Sequence, residues 1–195
     1  MTLQEVIAAS PYIPSWHETG ACMDRRHIML LREVIQRTGV RRTLEIGVHS
    51  GASSTAFAGV PDAHHADITS RDDARSMMPG TFHHRKGADV LRDEAPFDLV
   101  LVDGNHGMEA VQEELEVLMA KPPRIIVAHD INSSAVGFPH CEGAHLLWQH
   151  LQADLWWCIV DAADRPGEMT KRGLLVATKD RDAIRHILDA YRSII

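Results

Sequence analysis

Short apolar runs alternate along this chain with stretches in which apolar residues recur every three or four positions. The clearest case spans residues 97–132, where the apolar run 99–102 ends at Asp103 and the run 125–128 ends at Asp130. Strands this short and wholly apolar are typical of a parallel sheet that is covered on both faces. The pattern predicts a strand–helix–strand unit with a right-handed crossover, which brings Asp103 and Asp130 side by side at the carboxyl edge of the sheet.

The stretch between these two strands has the period of a helix. Pro122 and Pro123 forbid its continuation into the second strand. Because residues three or four positions apart share one face of a helix, four apolar side chains are expected to pack on one side: Met108, Val111, Leu115 and Leu118.

The same alternation extends over the rest of the chain. Further strands are predicted at 43–46, 64–66, 81–85, 155–160 and 173–178. Helices are predicted at 3–9, 24–38, 52–58, 141–152 and 180–193, with two short ones after Ser70 and Asp89. Five strand–helix units followed by a final pair of strands indicate a doubly wound, Rossmann-like α/β sandwich. We expect a mostly parallel, seven-stranded sheet with an antiparallel last strand, helices on both faces, and a helical lid segment (1–40) joined to the main α/β domain (41–195) in one compact unit.

Composition narrows the function classes. The chain has 195 residues, 45% of them hydrophobic, which suits one globular domain. A net charge of −7 without a basic stripe argues against nucleic-acid binding, and no apolar run reaches the length of a membrane span. The N-terminus lacks the features of a signal peptide, and the three cysteines have no regular spacing, so a cytoplasmic protein with reduced thiols is expected.

A glycine turn, Gly47–Gly51, separates the strand 43–46 from the following helix. Glycine allows a sharp turn and the close approach of a ligand, and the N–H groups at the start of a helix attract an anionic group. The Gly-x3-Gly spacing differs from the Gly-x-Gly-x-x-Gly of dinucleotide sites, and the turn is also compatible with a simple tight connection. Glu45 precedes it on a buried strand and must find a donor, either an amine of a ligand or a nearby backbone N–H.

These patterns form a recognisable series. The turn reads E-I-G-V-H-S-G-A-S, an acid (Asp67) ends the second strand, and the later strand ends read FDLVLVDGNH and RIIVAHDIN. In order and spacing, over residues 43–178, the series resembles class I S-adenosylmethionine-dependent methyltransferases. The closest subgroup is the small O-methyltransferases of the catechol O-methyltransferase type and their bacterial relatives.

The resemblance implies a set of cofactor-binding residues. Asp67 would accept hydrogen bonds from the ribose hydroxyls, with the capping of a helix as the alternative. Ser53 would lie near the methionine carboxylate, and Ala88 and Asp89 would lie beside the adenine. The full set implied to surround S-adenosylmethionine is Glu45, Gly47, His49, Gly51, Ser53, Asp67, Ala88, Asp89 and Asp103.

Two converging carboxylates repel each other unless a proton or a cation lies between them. In the metal-dependent members of the resembled family, Asp103 and Asp130 match two ligands of Mg²⁺ or another divalent cation, and the third ligand directly follows the second acid. Here Ile131 takes that position and Asn132 comes one residue later. The predicted metal ligands are therefore Asp103, Asp130 and Asn132. The alternative is that Asp130 caps the next loop and Asp103 bonds the backbone or the cofactor.

His106 lies three residues after Asp103, where the catechol-type enzymes carry a lysine base. Because an ordinary histidine is mostly neutral at pH 7, it is suited to accept a proton. We predict that His106 and Asp103 are catalytic, with His106 as the base. A metal ligand and a helix-start residue without a role are the alternatives for His106, and His129 is interpreted as a strand residue packed in the sheet.

The predicted function is methyl transfer from S-adenosylmethionine to a hydroxyl of a small molecule, assisted by a divalent cation. The alternatives are a metal-independent small-molecule methyltransferase, a cofactor-binding module without turnover, and a nicotinamide-dependent oxidoreductase, which the glycine spacing disfavours. The expected partner is a small-molecule acceptor covered by the loops 10–20 and 131–140. No nucleic-acid or membrane partner is expected, and the formation of a homodimer is left open.

Overall fold

The computed structural model describes residues 23–69, 78–131, 142–154, 156–161 and 173–194. Its strands are β1 (Arg42–Ile46), β2 (Asp62–Ala66), β3 (Thr81–His83), β4 (Leu99–Val102), β5 (Ile125–His129), β6 (Trp157–Asp161) and β7 (Leu174–Thr178). Its helices are α1 (Arg25–Thr38), a 3₁₀ helix (Ser53–Phe57), α2 (Gly87–Glu94), α3 (Met108–Ala120), α4 (Glu142–Ala153) and α5 (Arg181–Ile194). Within these ranges no helix is long and apolar enough to cross a membrane.

The strands form one sheet in the order β3-β2-β1-β4-β5-β7-β6. The first five are parallel to one another, and β7 runs antiparallel to both β5 and β6. The predicted strand–helix–strand unit is confirmed, since β4 and β5 are neighbours with Leu99 opposite Ile125 and Val102 opposite Ala128. The strand order reverses between β1 and β4, and the crevice at the carboxyl ends of two such strands is where open α/β sheets bind ligands.

The apolar runs of the central strands are buried on both faces. Leu99 and Leu101 lie in the core that α1 and α5 cover, while Val100 and Val102 lie in the core that α2, α3 and α4 cover. Helix α1 packs against α5 on the first of these faces. The described part of the expected lid segment therefore belongs to the sandwich, and a lid formed by the residues before it stays a prediction.

Several local predictions differ from the structure. The helix predicted at 52–58 is a five-residue 3₁₀ helix. Strand β3 ends at His83 instead of residue 85 because the chain turns there, with the Arg85 N–H donating to the His83 carbonyl. Strand β6 begins at Trp157 rather than at 155, since Trp156 bonds back to the end of α4. Met108 is the first residue of α3 and is 44% exposed, so it does not join the packed face of that helix.

Some predicted elements lie outside the described residues. They are the helix 3–9, the loop 10–20, the helix after Ser70, the loop from residue 132 to 140 and the loop from 162 to 172.

Candidate functional site

The carboxyl ends of β1 and β4 approach each other so closely that only glycine fits at position 47. Gly47 has a φ of +88°, and a Cβ atom there would lie 2.2 Å from the carbonyl oxygen of Asp103. The Gly47 N–H donates to the Ala66 carbonyl at 2.9 Å, and the Asp103 N–H donates to the Ile46 carbonyl at 2.9 Å. These bonds fix the turn after β1 against the residues that follow β4, at the point where the strand order reverses.

A cavity of about 600 Å³ opens at this point, between the glycine turn and α3. Its volume is in the range of small-molecule sites. Ile68 lines it with a side chain that is 58% exposed, although Ile68 was not predicted to be a site residue. Five of the predicted cofactor residues also line this cavity: Gly47, His49, Asp67, Ala88 and Asp103.

Asp67 is held in a network of backbone donors. Its Oδ2 accepts the N–H groups of Val48 and His49 at 2.7 and 2.9 Å, and its Oδ1 accepts the N–H and the hydroxyl of Thr69 at 2.6 and 3.1 Å. Burial alone would raise the pKa of Asp67, but the hydrogen bonds from His49, Thr69 and Val48 together lower it below its ordinary value. Asp67 is therefore a stable carboxylate that ties the glycine turn to the end of β2.

A smaller cavity of about 180 Å³ adjoins the first. The two share the lining residues Gly47, His49, Asp103 and Gly104. The smaller cavity is also lined by Met23 and Ser53, and by three side chains that can be charged: His106, His129 and Asp130.

Two imidazoles and two carboxylates converge in the smaller cavity. His129 Nδ1 lies 3.1 Å from Asp103 Oδ1 and 3.5 Å from Asp130 Oδ1. His106 Nε2 lies 3.3 Å from Asp130 Oδ2 and 3.7 Å from Asp103 Oδ1. The structure thus brings together the predicted pair Asp103 and Asp130 and the predicted base His106. It adds His129, which sequence reasoning had assigned to packing alone.

The two carboxylates set the charge of His106. Burial lowers the pKa of His106, but the hydrogen bond to Asp130 and the negative charges of Asp103 and Asp130 outweigh burial and raise the pKa above its ordinary value. In the absence of another cation, a protonated His106 compensates part of the carboxylate charge.

A second buried histidine lies behind the cluster. His27 in α1 is fully buried, and its Nδ1 lies 3.1 Å from His129 Nε2 and 3.7 Å from Asp24 Oδ2. His27 was missed from the sequence, because it lies 102 residues from His129 along the chain. The available signal was a histidine among the apolar residues of the α1 face, next to Ile28.

Glu45 finds its donors inside the protein. Its Oε1 accepts the Ser53 hydroxyl at 2.5 Å, and its Oε2 accepts the Ser54 hydroxyl at 2.6 Å and faces His65 Nδ1 at 2.5 Å. The carboxylate is fully buried and lines neither of the two cavities. Three side chains therefore satisfy it, rather than the ligand amine or backbone N–H that the sequence left open.

The other predicted residues lie in different environments. Ser53 lines the smaller cavity while its hydroxyl donates to Glu45. Gly51 closes the turn with its N–H on the Val48 carbonyl at 2.8 Å and lines neither cavity. Asp89 is in the first turn of α2, pairs with Arg92 at 2.7 Å and lines neither cavity. Asn132 is outside the described residues.

Glu114 of α3 is a buried acid in the wall of the larger cavity, and it was not predicted. It is 6% exposed, and its Oε2 has no hydrogen-bond partner among the residues that the structure describes. Burial raises the pKa of Glu114 to about 8, with His106 opposing and Glu113 adding to the shift. Glu114 is therefore protonated at pH 7 and offers the cavity a neutral carboxyl group.

Comparison with known proteins gives a match in structure only. No protein-family model matches the sequence, and no curated protein matches it. An O-methyltransferase from Bacillus cereus, solved in complex with SAH, superposes with a TM-score of 0.67 at 15% identity, over 91% of this chain and 90% of that one. This chain has the fold of the S-adenosylmethionine-dependent O-methyltransferases.

Two more solved structures share that fold. The O-methyltransferase TomG from Streptomyces achromogenes, involved in tomaymycin synthesis and solved in complex with SAM, matches with a TM-score of 0.65 at 16% identity, over 90% of each chain. A putative caffeoyl-CoA O-methyltransferase from Staphylococcus aureus matches with a TM-score of 0.65 at 11% identity, over 91% of this chain and 92% of that one. The fold expected from the sequence resemblance is confirmed, including the antiparallel last strand.

Proposed function

We propose that this chain transfers a methyl group from S-adenosylmethionine to a hydroxyl oxygen of a small molecule, with a divalent cation at Asp103 and Asp130. The observation that carries the proposal is the junction of two cavities. One has the volume for a nucleoside cofactor, the other is lined by two carboxylates and three histidines, and both contact Gly47 and Asp103. The SAH and SAM complexes among the structures of the same fold support the choice of cofactor.

The residues of the larger cavity fit the nucleoside part of this cofactor. A ribose hydroxyl would take the place of the Thr69 hydroxyl, which makes the longest of the four contacts to Asp67. The exposed apolar side chain of Ile68 suits the face of a purine ring. Gly47 lines both cavities and has no side chain, so a ligand can approach its backbone closely where the two cavities meet. The methyl-bearing sulfonium would lie at this point.

The donor set of the smaller cavity fits a divalent cation. Asp103 and Asp130 each have an oxygen in a cluster of ligand atoms that lie within 4.8 Å of one another. Carboxylates are ligands that such ions prefer, and a bound cation would lower the pKa of an acceptor hydroxyl beside it. With the cation compensating the charge of Asp103 and Asp130, His106 would be neutral, and its Nε2, 3.3 Å from Asp130 Oδ2, would receive the hydroxyl proton. The cavity walls would hold the acceptor oxygen in line with the methyl carbon. This alignment would be the main contribution of the protein to the rate of transfer.

The cofactor is tested by calorimetry with S-adenosylhomocysteine and, separately, with NAD⁺. We expect binding of the first at micromolar concentration or below, and none of the second. Binding of NAD⁺ alone would select the oxidoreductase alternative. Binding of S-adenosylhomocysteine without methylation of any acceptor in a broad panel of phenols, catechols, sugars and polyketides would select the binding-module alternative.

The cation and Asp103 are tested together with labelled S-adenosylmethionine and the best acceptor of that panel. We expect Asp103→Ala to reduce turnover by about a hundredfold or more, as for other groups that stabilise developing charge, without loss of the folded state. Asp93→Asn, an exposed acid paired with Arg85, is the matched control and keeps full activity. Activity that persists undiminished in a strong chelator would select the metal-independent alternative.

A further inference from the structure

The cation proposed above lacks a third protein ligand at the position after Asp130. Ile131 occupies it with a fully buried apolar side chain, which has no atom to offer a metal. We propose that His129 supplies the third ligand through Nδ1, and that this centre binds a transition-metal ion such as Mn²⁺, Fe²⁺, Co²⁺ or Zn²⁺ in preference to Mg²⁺. The inference rests on the proposed function only in that the carboxylate pair holds a cation.

The ligand atoms of both carboxylates lie around His129 Nδ1 at distances that a coordination shell allows. One atom each from Asp103, His129 and Asp130 lie within 4.8 Å of one another. His129 Nδ1 is 3.1 Å from Asp103 Oδ1 and 3.5 Å from Asp130 Oδ1. Atoms bound to one metal at about 2.0–2.2 Å are separated from each other by roughly 3.0–3.6 Å. The three side chains would therefore need little movement to bind an ion.

The backbone at the end of β5 accounts for this convergence. Asp130 has a φ of 58°, a left-handed conformation that an aspartate adopts far more readily than most residues. His129 and Asp130 are consecutive and would project to opposite faces in a regular strand. The turn at Asp130 ends the strand instead, and His129 Nδ1 lies within 3.5 Å of both Asp103 Oδ1 and Asp130 Oδ1. Such conformations persist mainly at functional sites.

The other nitrogen of His129 has the partner that metal-bound histidines typically have. A histidine that coordinates through one nitrogen usually donates the N–H of the other to a fixed acceptor, which orients the ring and strengthens the bond to the metal. His129 Nε2 lies 3.1 Å from His27 Nδ1, and both rings are almost completely buried. Asp24 Oδ2 lies 3.7 Å from the same nitrogen of His27, Nδ1. With Nε2 donating to His27, the lone pair of His129 Nδ1 faces the two carboxylates.

The nitrogen ligand decides the kind of metal. Mg²⁺ strongly prefers oxygen ligands, whereas imidazole nitrogen is a common ligand of Fe²⁺ and Zn²⁺, and the affinity of a mixed nitrogen and oxygen site rises in the order Mn²⁺, Fe²⁺, Co²⁺. His106 lies on the other oxygen of Asp130 and remains available as the base. The remaining coordination positions would stay open to water or to an acceptor oxygen.

The first experiment measures metal affinity in the chelator-treated chain of 195 residues. Mn²⁺, Co²⁺ and Mg²⁺ are titrated by calorimetry and by the shift of the unfolding temperature, with S-adenosylhomocysteine present and absent. We expect one tight site for Mn²⁺ and Co²⁺ and at least about tenfold weaker binding of Mg²⁺. Mg²⁺ binding as tight as that of Mn²⁺ would overturn the inference.

The second experiment detects the nitrogen ligand directly and needs no substitution. Electron spin-echo modulation of one equivalent of Mn²⁺ should show coupling to a directly bound imidazole nitrogen, and the coupling should change when the histidines carry ¹⁵N. A spectrum with water and carboxylate ligands alone contradicts the role of His129.

Two variants and a control assign the signal to this site. His129→Asn, whose amide oxygen replaces Nδ1, should lose the nitrogen coupling, weaken Co²⁺ binding by about 10–100-fold and leave Mg²⁺ binding nearly unchanged. His27→Leu should keep the coupling and weaken Co²⁺ binding by about tenfold through the loss of the partner of Nε2. His186→Asn, an exposed histidine of α5, should change neither measurement. If Co²⁺ affinity is the same in wild type and His129→Asn, the proposal is wrong.

The results separate this inference from the proposed function. A chain that binds S-adenosylhomocysteine and is activated equally by Mg²⁺ and Mn²⁺ remains a metal-assisted methyltransferase without the His129 ligand. A chain that binds Mn²⁺ through nitrogen but does not bind S-adenosylhomocysteine has the metal centre without the proposed activity.

Discussion

Asp67 serves the fold and the proposed ligand at once. Its carboxylate receives three backbone N–H groups, two from the glycine turn and one from the residue after Ile68. A substitution of Asp67 would therefore loosen the turn and remove a contact to ribose in the same step. Its neighbour Ile68 separates the two effects, because the Ile68 side chain is mostly exposed and supports little of the fold.

We predict that Ile68→Ala weakens the binding of S-adenosylhomocysteine by about tenfold. Loss of roughly 55 Å² of apolar contact at ~25 cal/mol per Å² corresponds to about 1.4 kcal/mol, which is one order of magnitude in affinity. The free energy of unfolding should stay within about 0.5 kcal/mol of wild type, as for most surface substitutions. Calorimetry and urea unfolding measure the two quantities.

Met108 provides the matched control for Ile68. It is another exposed apolar residue, at 44%, and it lines neither of the two cavities. Met108→Ala should leave the affinity for S-adenosylhomocysteine unchanged. An equal loss in both variants would mean that general surface hydrophobicity, rather than contact with a purine, determines the affinity.

The turn between β1 and the 3₁₀ helix is the element on which both cavities depend. We predict that Gly47→Ala reduces the free energy of unfolding by about 3 kcal/mol or more. The positive φ alone costs roughly 1–2 kcal/mol in any residue with a Cβ, and the methyl group would also overlap the backbone of Asp103 and Gly104. Binding of S-adenosylhomocysteine should be lost in the same variant.

Gly39 isolates the contribution of that overlap. It ends α1 with a φ of +64°, and a Cβ atom there would have nothing within 4 Å. Gly39→Ala should therefore cost only the roughly 1–2 kcal/mol of the left-handed backbone. If the two variants lose equal stability in urea unfolding, the contact between the ends of β1 and β4 is looser than the structure indicates.

At the scale of the whole molecule, the features that could be predicted from the sequence are those that depend on the local pattern of apolar and polar residues. The apolar runs of β4 and β5 and the acids that end them were located correctly, because a parallel sheet fixes which residues reach its carboxyl edge. The proposed role of His129 was not predictable, since it depends on the left-handed turn at Asp130 and on His27 from a distant helix. The burial of Glu114 was not predictable either, because it depends on how α3 packs and not on its own charged neighbours.

That burial gives the molecule a distinctive dependence of stability on pH. Glu114 keeps its proton in the folded chain up to about pH 8, whereas the unfolded chain releases it near pH 4.5. Between these values the folded chain binds more protons, so its stability falls as the pH rises, on the order of 1 kcal/mol per pH unit. Glu114→Gln, which is always neutral, should match wild type near pH 4.5 and exceed its stability by a few kcal/mol at pH 8, as measured by urea unfolding in metal-free buffer.

The adjacent acid Glu113 should respond in the opposite direction. Hydrogen bonds from Arg92 and Lys86 lower the pKa of Glu113 below its ordinary value, so its contribution is present above that value and lost as the pH falls through the folded-state pKa. Glu113→Gln should therefore be less stable than wild type at pH 7 and equal to it in acid. His106, whose pKa is raised, makes a similar contribution to the pH dependence of stability in wild type, Glu113→Gln and Glu114→Gln. Its contribution therefore largely cancels when each variant is compared with wild type. If Glu114→Gln is no more stable than wild type at pH 7, Glu114 is ionised in the folded chain and the wall of the larger cavity carries a negative charge.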